Sequence, residues 1–284
     1  MTNRPFRQVD VFGSRDFSGN PLAVVLDAEG LSDDDLRRIS VWTNLSECTF
    51  VLPPTTPDAD YRVRIFSLAN ELPFAGHPTL GTCRAWLQQG HTPRVPGLVV
   101  QESAQGLVQI EHQGDTLAFA APPLQRSKPS PALVPLVASA LGLRPHQIRA
   151  TQLLDNGPVW LGLLLDSADT VLSLTPDHAR LKDLGQDVGV IHIAPDAGAN
   201  PERPRAVVRA FASPMGNPED PVTGSLNASL AQWLIAEGLA PTRYLVAQGE
   251  CLGRAGRVYN RQDAQGQVWV GGHTVTCIEG TALL

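Results

Sequence analysis

The chain has 284 residues, 43% of them apolar and 18% charged, with a formal net charge of −6. That length matches about two domains of roughly 150 residues, and the apolar content is enough for a core in each, which excludes a wholly disordered chain. Lys and Arg form no basic cluster, so neither nucleic acid nor an anionic membrane is expected as a partner, whereas a small anionic substrate remains open because helix N-termini hold anions without a cation.

In chain order, VDVF (9–12) reads as a strand. Turn chemistry at Ser18-Gly19-Asn20-Pro21 follows, then the apolar run LAVVL (22–26) as a second strand. A helix begins after Ser32, an N-cap residue followed by three acids that suit the positive end of the helix dipole. CTFVLPP and the alternating YRVRIFSL (61–68) are strands. A helix is then predicted with Pro78 at its first position, Gly90 just past its end and Leu80, Cys83 and Leu87 on one stripe. Short strands continue to about residue 120. The segment APPLQRSKPSPALVP (121–135) has five prolines in fifteen residues and reads as the linker. The expected domains are therefore 1–125 and 126–284, with about the last ten residues packing back on the first half.

The second half echoes the first. LTPDHARL (174–181) resembles LSDDDLRRI (31–39), at an offset of 174 − 31 = 143. His77-Pro78-Thr79-Leu80-Gly81-Thr82 matches Asp220-Pro221-Val222-Thr223-Gly224-Ser225 at the same offset, 220 − 77 = 143. Each match starts an apolar helix, the second with Leu226, Leu230, Trp233 and Leu234 on its stripe and Gly238 as its stop. Each helix follows a strand, VRIFSL in one half and AVVRAFA (206–212) in the other. A repeat at half the chain length points to duplication. The expected fold is α+β: two pseudo-symmetric halves, each a rolled, mainly antiparallel sheet around a central helix.

No signal peptide or apolar span of 18 residues is visible, so a cytoplasmic protein is expected. Cys48, Cys83, Cys251 and Cys277 lie far apart with no zinc-type spacing, which predicts reduced, buried thiols and no metal. Nucleotide fingerprints are absent, so no cofactor is expected. The chemistry-bearing candidates are His77 and Asp220, each read as the N-cap of a helix whose free amides and nearby glycine could receive a carboxylate. Glu47, in NLSECTFV beside Leu45, Phe50 and Val51, is the candidate acid/base group, because partial desolvation favours proton transfer near neutral pH.

FSGNPLAVV (17–25), NLSECTFV (44–51), RIFSLANELPFAGHPTLGT (64–82), GNPEDPVTGS (216–225) and QGECLGR (248–254) together resemble the PhzF-like proteins, named for an isomerase of phenazine biosynthesis. The resemblance implies the diaminopimelate epimerase fold, with the site in the cleft between the halves. It implies that Glu47 moves a proton, that His77 and Asp220 line the site, and that Ser46, Gly76, Thr79, Thr223, Gly224 and Ser225 contact substrate. It also implies a homodimer. Relatives of that fold that racemise amino acids carry a cysteine at each helix start, where this chain has His77 and Asp220. Cys48 and Leu226-Asn227 depart from the family pattern and bear on substrate shape. The expected function is a cofactor-independent isomerase of a small unsaturated amino- or hydroxy-carboxylic acid, in which Glu47 or protonated His77 returns the proton. An epimerase of a small acid and a silent binding protein are the alternatives.

Overall fold

The computed structural model describes residues 2–195 and 203–284, and the chain forms two compact units. The first comprises residues 2–120 and 271–284; the second is Ala121–Val270. No helix among the described residues is long and apolar enough to cross a membrane.

The first unit contains β1 (Asn3–Val11), β2 (Asn20–Val25), α1 (Asp33–Thr43), β3 (Glu47–Leu52), β4 (Tyr61–Ser67), β5 (Glu71–Leu72), α2 (Gly76–Gln88), β6 (Leu98–Ser103), β7 (Gly106–Gln113) and β8 (Thr116–Ala120). The pairings are antiparallel β1–β2, parallel β2–β3, antiparallel β3–β4, parallel β4–β6, and antiparallel β6–β7 and β7–β8. The chain's last strand, Val268–Leu283, pairs with both β1 and β8 and closes the sheet. Its register on β1 runs from Asn3 opposite Leu283 to Val11 opposite Thr274. The closed sheet surrounds α2, whose residues from Gly76 to Trp86 are all buried. Even Gly81 is packed: a Cβ there would lie 2.6 Å from Leu22 Cδ2, so only glycine lets the helix approach β2 so closely. The space at Gly81 is thus used by the core, which corrects the expectation that it admits a ligand.

Local chemistry sets the ends of these elements. Ser32 caps α1 by accepting the Asp35 N–H, and Asp35 returns the bond in a capping box. Asn44 takes a left-handed conformation (φ 54°) and stops α1, so that only Asn44, Leu45 and Ser46 separate the helix from β3. That short connection fixes Glu47 as the first residue of β3.

The second unit contains β9 (Gln125–Ser127), α3 (Leu133–Leu141), β10 (Ile148–Asp155), β11 (Val159–Leu165), α4 (Ala168–Ser173), α5 (His178–Leu184), β12 (Asp187–Ile193), β13 (Ala206–Ala212), β14 (Asn217–Asp220), α6 (Gly224–Ala236), β15 (Arg243–Gln248) and β16 (Gly256–Gln262). The proline-rich 121–135 segment is therefore more than a tether, since β9 pairs with β10 and α3 begins inside it. The pairings run antiparallel β10–β11, parallel β11–β12, antiparallel β12–β13, parallel β13–β15, antiparallel β15–β16. That is the same series as β1–β2–β3–β4–β6–β7 in the first unit. Helices interrupt both series at the same points, with α1 matched by α4 and α5, and α2 by α6. Residues Gly224 to Ala231, Trp233 and Leu234 of α6 are buried. Gly189 of β12 leaves room for Leu226, whose Cδ1 would lie 2.3 Å from a Cβ there.

The fold is thus α+β with the same plan in both units, but the equivalence differs in detail from the sequence match. The two 13-residue central helices start at Gly76 and Gly224, an offset of 224 − 76 = 148. The motif match at 143 therefore sets His77 beside Asp220 in sequence although they occupy different structural positions. His77 is the second residue of α2, and Asp220 ends β14, four residues before α6 begins.

Candidate active site

Neither His77 nor Asp220 caps a helix, which corrects the sequence expectation. Ala75 is the N-cap of α2 and makes no side-chain bond, and Pro78 is the third helical residue rather than the first. Proline is tolerated there because the first turn has no helical acceptor for its missing N–H. Thr223 is the N-cap of α6 and likewise makes no capping bond. Both central helices therefore begin without a side-chain cap, which leaves the positive end of each helix unneutralised by its own cap residue.

In the first unit, His77 is buried and Glu47 is mostly buried, their side chains 5% and 16% exposed. His77 Nε2 lies 3.3 Å from Glu47 Oε2. The two atoms are close but not aligned as a hydrogen bond. On the other side of the ring, His77 Nδ1 is 3.2 Å from Asn20 Nδ2. Burial pushes the imidazole down from its usual 6.5 to about 3. His77 is therefore neutral at physiological pH, which corrects the expectation that a protonated His77 returns the proton.

A neutral buried histidine has a stability consequence. Its folded-state value lies below its unfolded value, so the unfolded chain binds the extra proton as pH falls from about 6.5 toward 3. Stability contributed by the neutral ring is present above 6.5 and lost through that window, at up to about 1.4 kcal/mol per pH unit. Urea unfolding at a series of pH values should show a shallower acid decline for His77→Gln than for the native chain. Equal slopes would contradict a buried neutral His77.

Ser46 is half-buried next to Glu47, and Gly76 opens α2. Thr79, expected to contact substrate, is fully buried and committed to the fold: its hydroxyl donates to Ala75 O at 2.9 Å and accepts from Gln101 Nε2 at 3.1 Å. The Cys48 thiol is buried on β3 and pushed up to about 12 by desolvation, so it stays protonated. Cys83 is also buried, but Cys251 is exposed and Cys277 half-buried, which corrects the expectation that all four are core thiols.

In the second unit, Asp220 is buried at the end of β14, opposite Ala210 of β13. Its Oδ2 accepts the Thr223 hydroxyl at 2.5 Å, and its Oδ1 lies 3.3 Å from Asn217 Nδ2. Ser225, in the first turn of α6, accepts the Trp160 Nε1–H at 3.3 Å.

A residue that sequence reasoning missed holds this cluster together. Gln248, buried at the end of β15, accepts the Thr223 N–H at 3.1 Å and an Asn227 amide N–H at 2.9 Å through its Oε1. Its Nε2 donates to Asp220 O at 3.2 Å and to Thr223 Oγ1 at 2.9 Å. Asn227 also donates to Thr223 O at 2.8 Å, so this departure from the family pattern serves the start of α6. The only sequence signal was the QGECLGR motif, in which Gln248 comes first. Gln248→Leu should cost about 1–3 kcal/mol for each buried group it leaves unsatisfied. Urea unfolding tests this, and an unchanged midpoint would contradict the hub.

Among the described residues, no group of three or more His, Cys, Asp and Glu side chains could hold a metal ion. Compared with known proteins, the chain matches the family model of phenazine biosynthesis-like proteins (PhzC-PhzF) over residues 9–280. The chain belongs to this family. This PhzF-like protein is 33% identical over 298 residues to antisense-enhancing sequence 1 of Schizosaccharomyces pombe, with 100% of each chain covered. It is also 33% identical over 290 residues to the trans-2,3-dihydro-3-hydroxyanthranilate isomerase of Pseudomonas aeruginosa, covering 97% of this chain and 98% of that protein. Among solved structures it resembles a phenazine biosynthesis protein of the PhzF family from Bacillus anthracis, with a TM-score of 0.82, 21% identity and 100% of both chains covered. That structural likeness concerns the fold, and it agrees with the α+β architecture described above.

Proposed function

We propose that this PhzF-like protein is a cofactor-independent isomerase that moves a proton between two carbons of a small unsaturated amino- or hydroxy-carboxylic acid. The Glu47 carboxylate removes a proton from a carbon next to the unsaturated system. The C–H electron pair shifts along the π-system, and the Glu47 carboxyl returns a proton at a different carbon. No net oxidation or reduction occurs. The uncapped start of α2, which carries His77, suits the substrate's carboxylate and the enolate-like charge that develops as the proton leaves. By the family resemblance, Asp220, Thr223, Gly224 and Ser225 of the second unit and Ser46 and Gly76 of the first are each proposed as substrate contacts.

The observation that carries this reading is the Glu47–His77 pair. A mostly buried carboxylate stands 3.3 Å from an imidazole that burial keeps neutral. An imidazolium there would neutralise Glu47 and weaken it as a base; a neutral ring leaves its charge available for proton abstraction. The similarity to the named isomerase supports this choice of substrate class. A homodimer working in the cytoplasm belongs to the same proposal and rests on the family resemblance.

The test is product analysis. The purified protein is incubated with trans-2,3-dihydro-3-hydroxyanthranilate and related cyclic amino- and hydroxy-acids, and the products are followed by NMR. A double-bond isomer is the expected product. A stereoisomer with the double bonds unmoved would replace the proposal with an epimerase.

A further inference from the structure

We infer that Asn20 is a positioning residue that holds His77 in its Nε2–H tautomer, so that the single ring proton sits on the nitrogen nearest Glu47. Asn20 is fully buried on β2, and its Nδ2 lies 3.2 Å from His77 Nδ1. An amide nitrogen donates and does not accept, so Nδ1 must present its lone pair to it. A neutral imidazole has one N–H, and the amide contact leaves that proton to Nε2. Nε2 in turn is 3.3 Å from Glu47 Oε2.

The surrounding loop holds Asn20 where this requires. Asn20 pairs with Val11 at the end of the β1–β2 ladder. The two residues before it, Ser18 and Gly19, donate their N–H groups to the buried Asp10 carboxylate at 3.0 and 2.9 Å. Gly19 has no room for a side chain, since a Cβ would lie 2.1 Å from Val11 O. Asp10 thus fixes the turn, the turn fixes Asn20, Asn20 sets the tautomer, and the ring proton of His77 is left on the nitrogen nearest Glu47. A neutral ring of this kind stands beside the carboxylate without neutralising it. The GNP sequence at 19–21 would then serve the site as well as the turn.

The functional meaning of this relay rests on Glu47 as the acid/base group, but the tautomer can be read without substrate. Long-range ¹H–¹⁵N correlation spectra of the ¹⁵N-labelled full chain at neutral pH report which ring nitrogen of each histidine is protonated. The His77 signals are assigned by their loss in His77→Gln. The expected result is a bare Nδ1 and a protonated Nε2. Asn20→Asp, whose carboxylate accepts, should move the proton to Nδ1. Asn20→Leu, which neither donates nor accepts, should lose the single-tautomer signature. A protonated Nδ1 in the native protein, or an unaltered Nε2–H tautomer in Asn20→Leu, would overturn the inference. A native chain that shows the expected tautomer yet converts no acid would leave the Asn20 relay standing and count only against the proposed reaction.

Discussion

Arg209→Met is expected to destabilise the protein by about 3–5 kcal/mol, the usual cost of removing one partner of a buried ion pair. Arg209 and Glu219 are both buried, with side chains 6% and 8% exposed. The pair is bidentate: Nε to Oε1 is 3.0 Å and Nη2 to Oε2 is 2.8 Å. The remaining Nη1 donates to the carbonyls of Val171 and Leu174 at 3.2 and 2.8 Å, satisfying the end of α4. The guanidinium also lies 5.0 Å from the centre of the Phe211 ring. Methionine fills much of the volume but leaves Glu219 charged and unpaired and two carbonyls without a donor. Urea unfolding measures the loss. Adding Glu219→Gln should recover part of it, because the stranded charge is then gone. A loss below about 1 kcal/mol would show that the pair behaves like an exposed one. Glu219 precedes Asp220 on β14, so this pair also anchors the strand that delivers Asp220.

Glu47→Gln is expected to lower turnover by about 10²–10⁴-fold, the usual contribution of a positioned acid/base group. Glutamine keeps the size and polarity of the side chain, so the fold should survive. Near-native activity in a folded Glu47→Gln protein would remove Glu47 from the mechanism.

Much of this could be read from residues. Ser32 with its three following acids announced the start of α1, and Gly90 and Gly238 the ends of α2 and α6, because caps and stops act locally. The repeated motifs pointed to two halves with a common plan, and the strand pairings repeat in the same series. The starts of α2 and α6 were misplaced because Pro78 and Pro221 fit a first helical position equally well by local rules. What moves the α6 start to Gly224 is tertiary: β14 extends through Asp220, and Gln248, 25 residues downstream of Thr223, takes the Thr223 N–H. No local signal carries that. Glu47 and His77 could each be singled out, but their pairing could not, because Asn20, Glu47 and His77 are joined only by the closed sheet around α2. For the same reason the charge state of His77 was misjudged. Its burial comes from packing, and burial decides that the ring is neutral.

The central claim is that Glu47 exchanges a proton with carbon, and incubation in D₂O tests it most directly. The native protein and Glu47→Gln are each incubated with the same panel of unsaturated amino- and hydroxy-acids and followed by NMR. Deuterium is expected at a ring or chain carbon of at least one acid with the native protein, at a carbon other than the one that lost its proton, and none with Glu47→Gln. Deuterium incorporated equally by both proteins, or conversion of an acid that proceeds undiminished in Glu47→Gln, would contradict it.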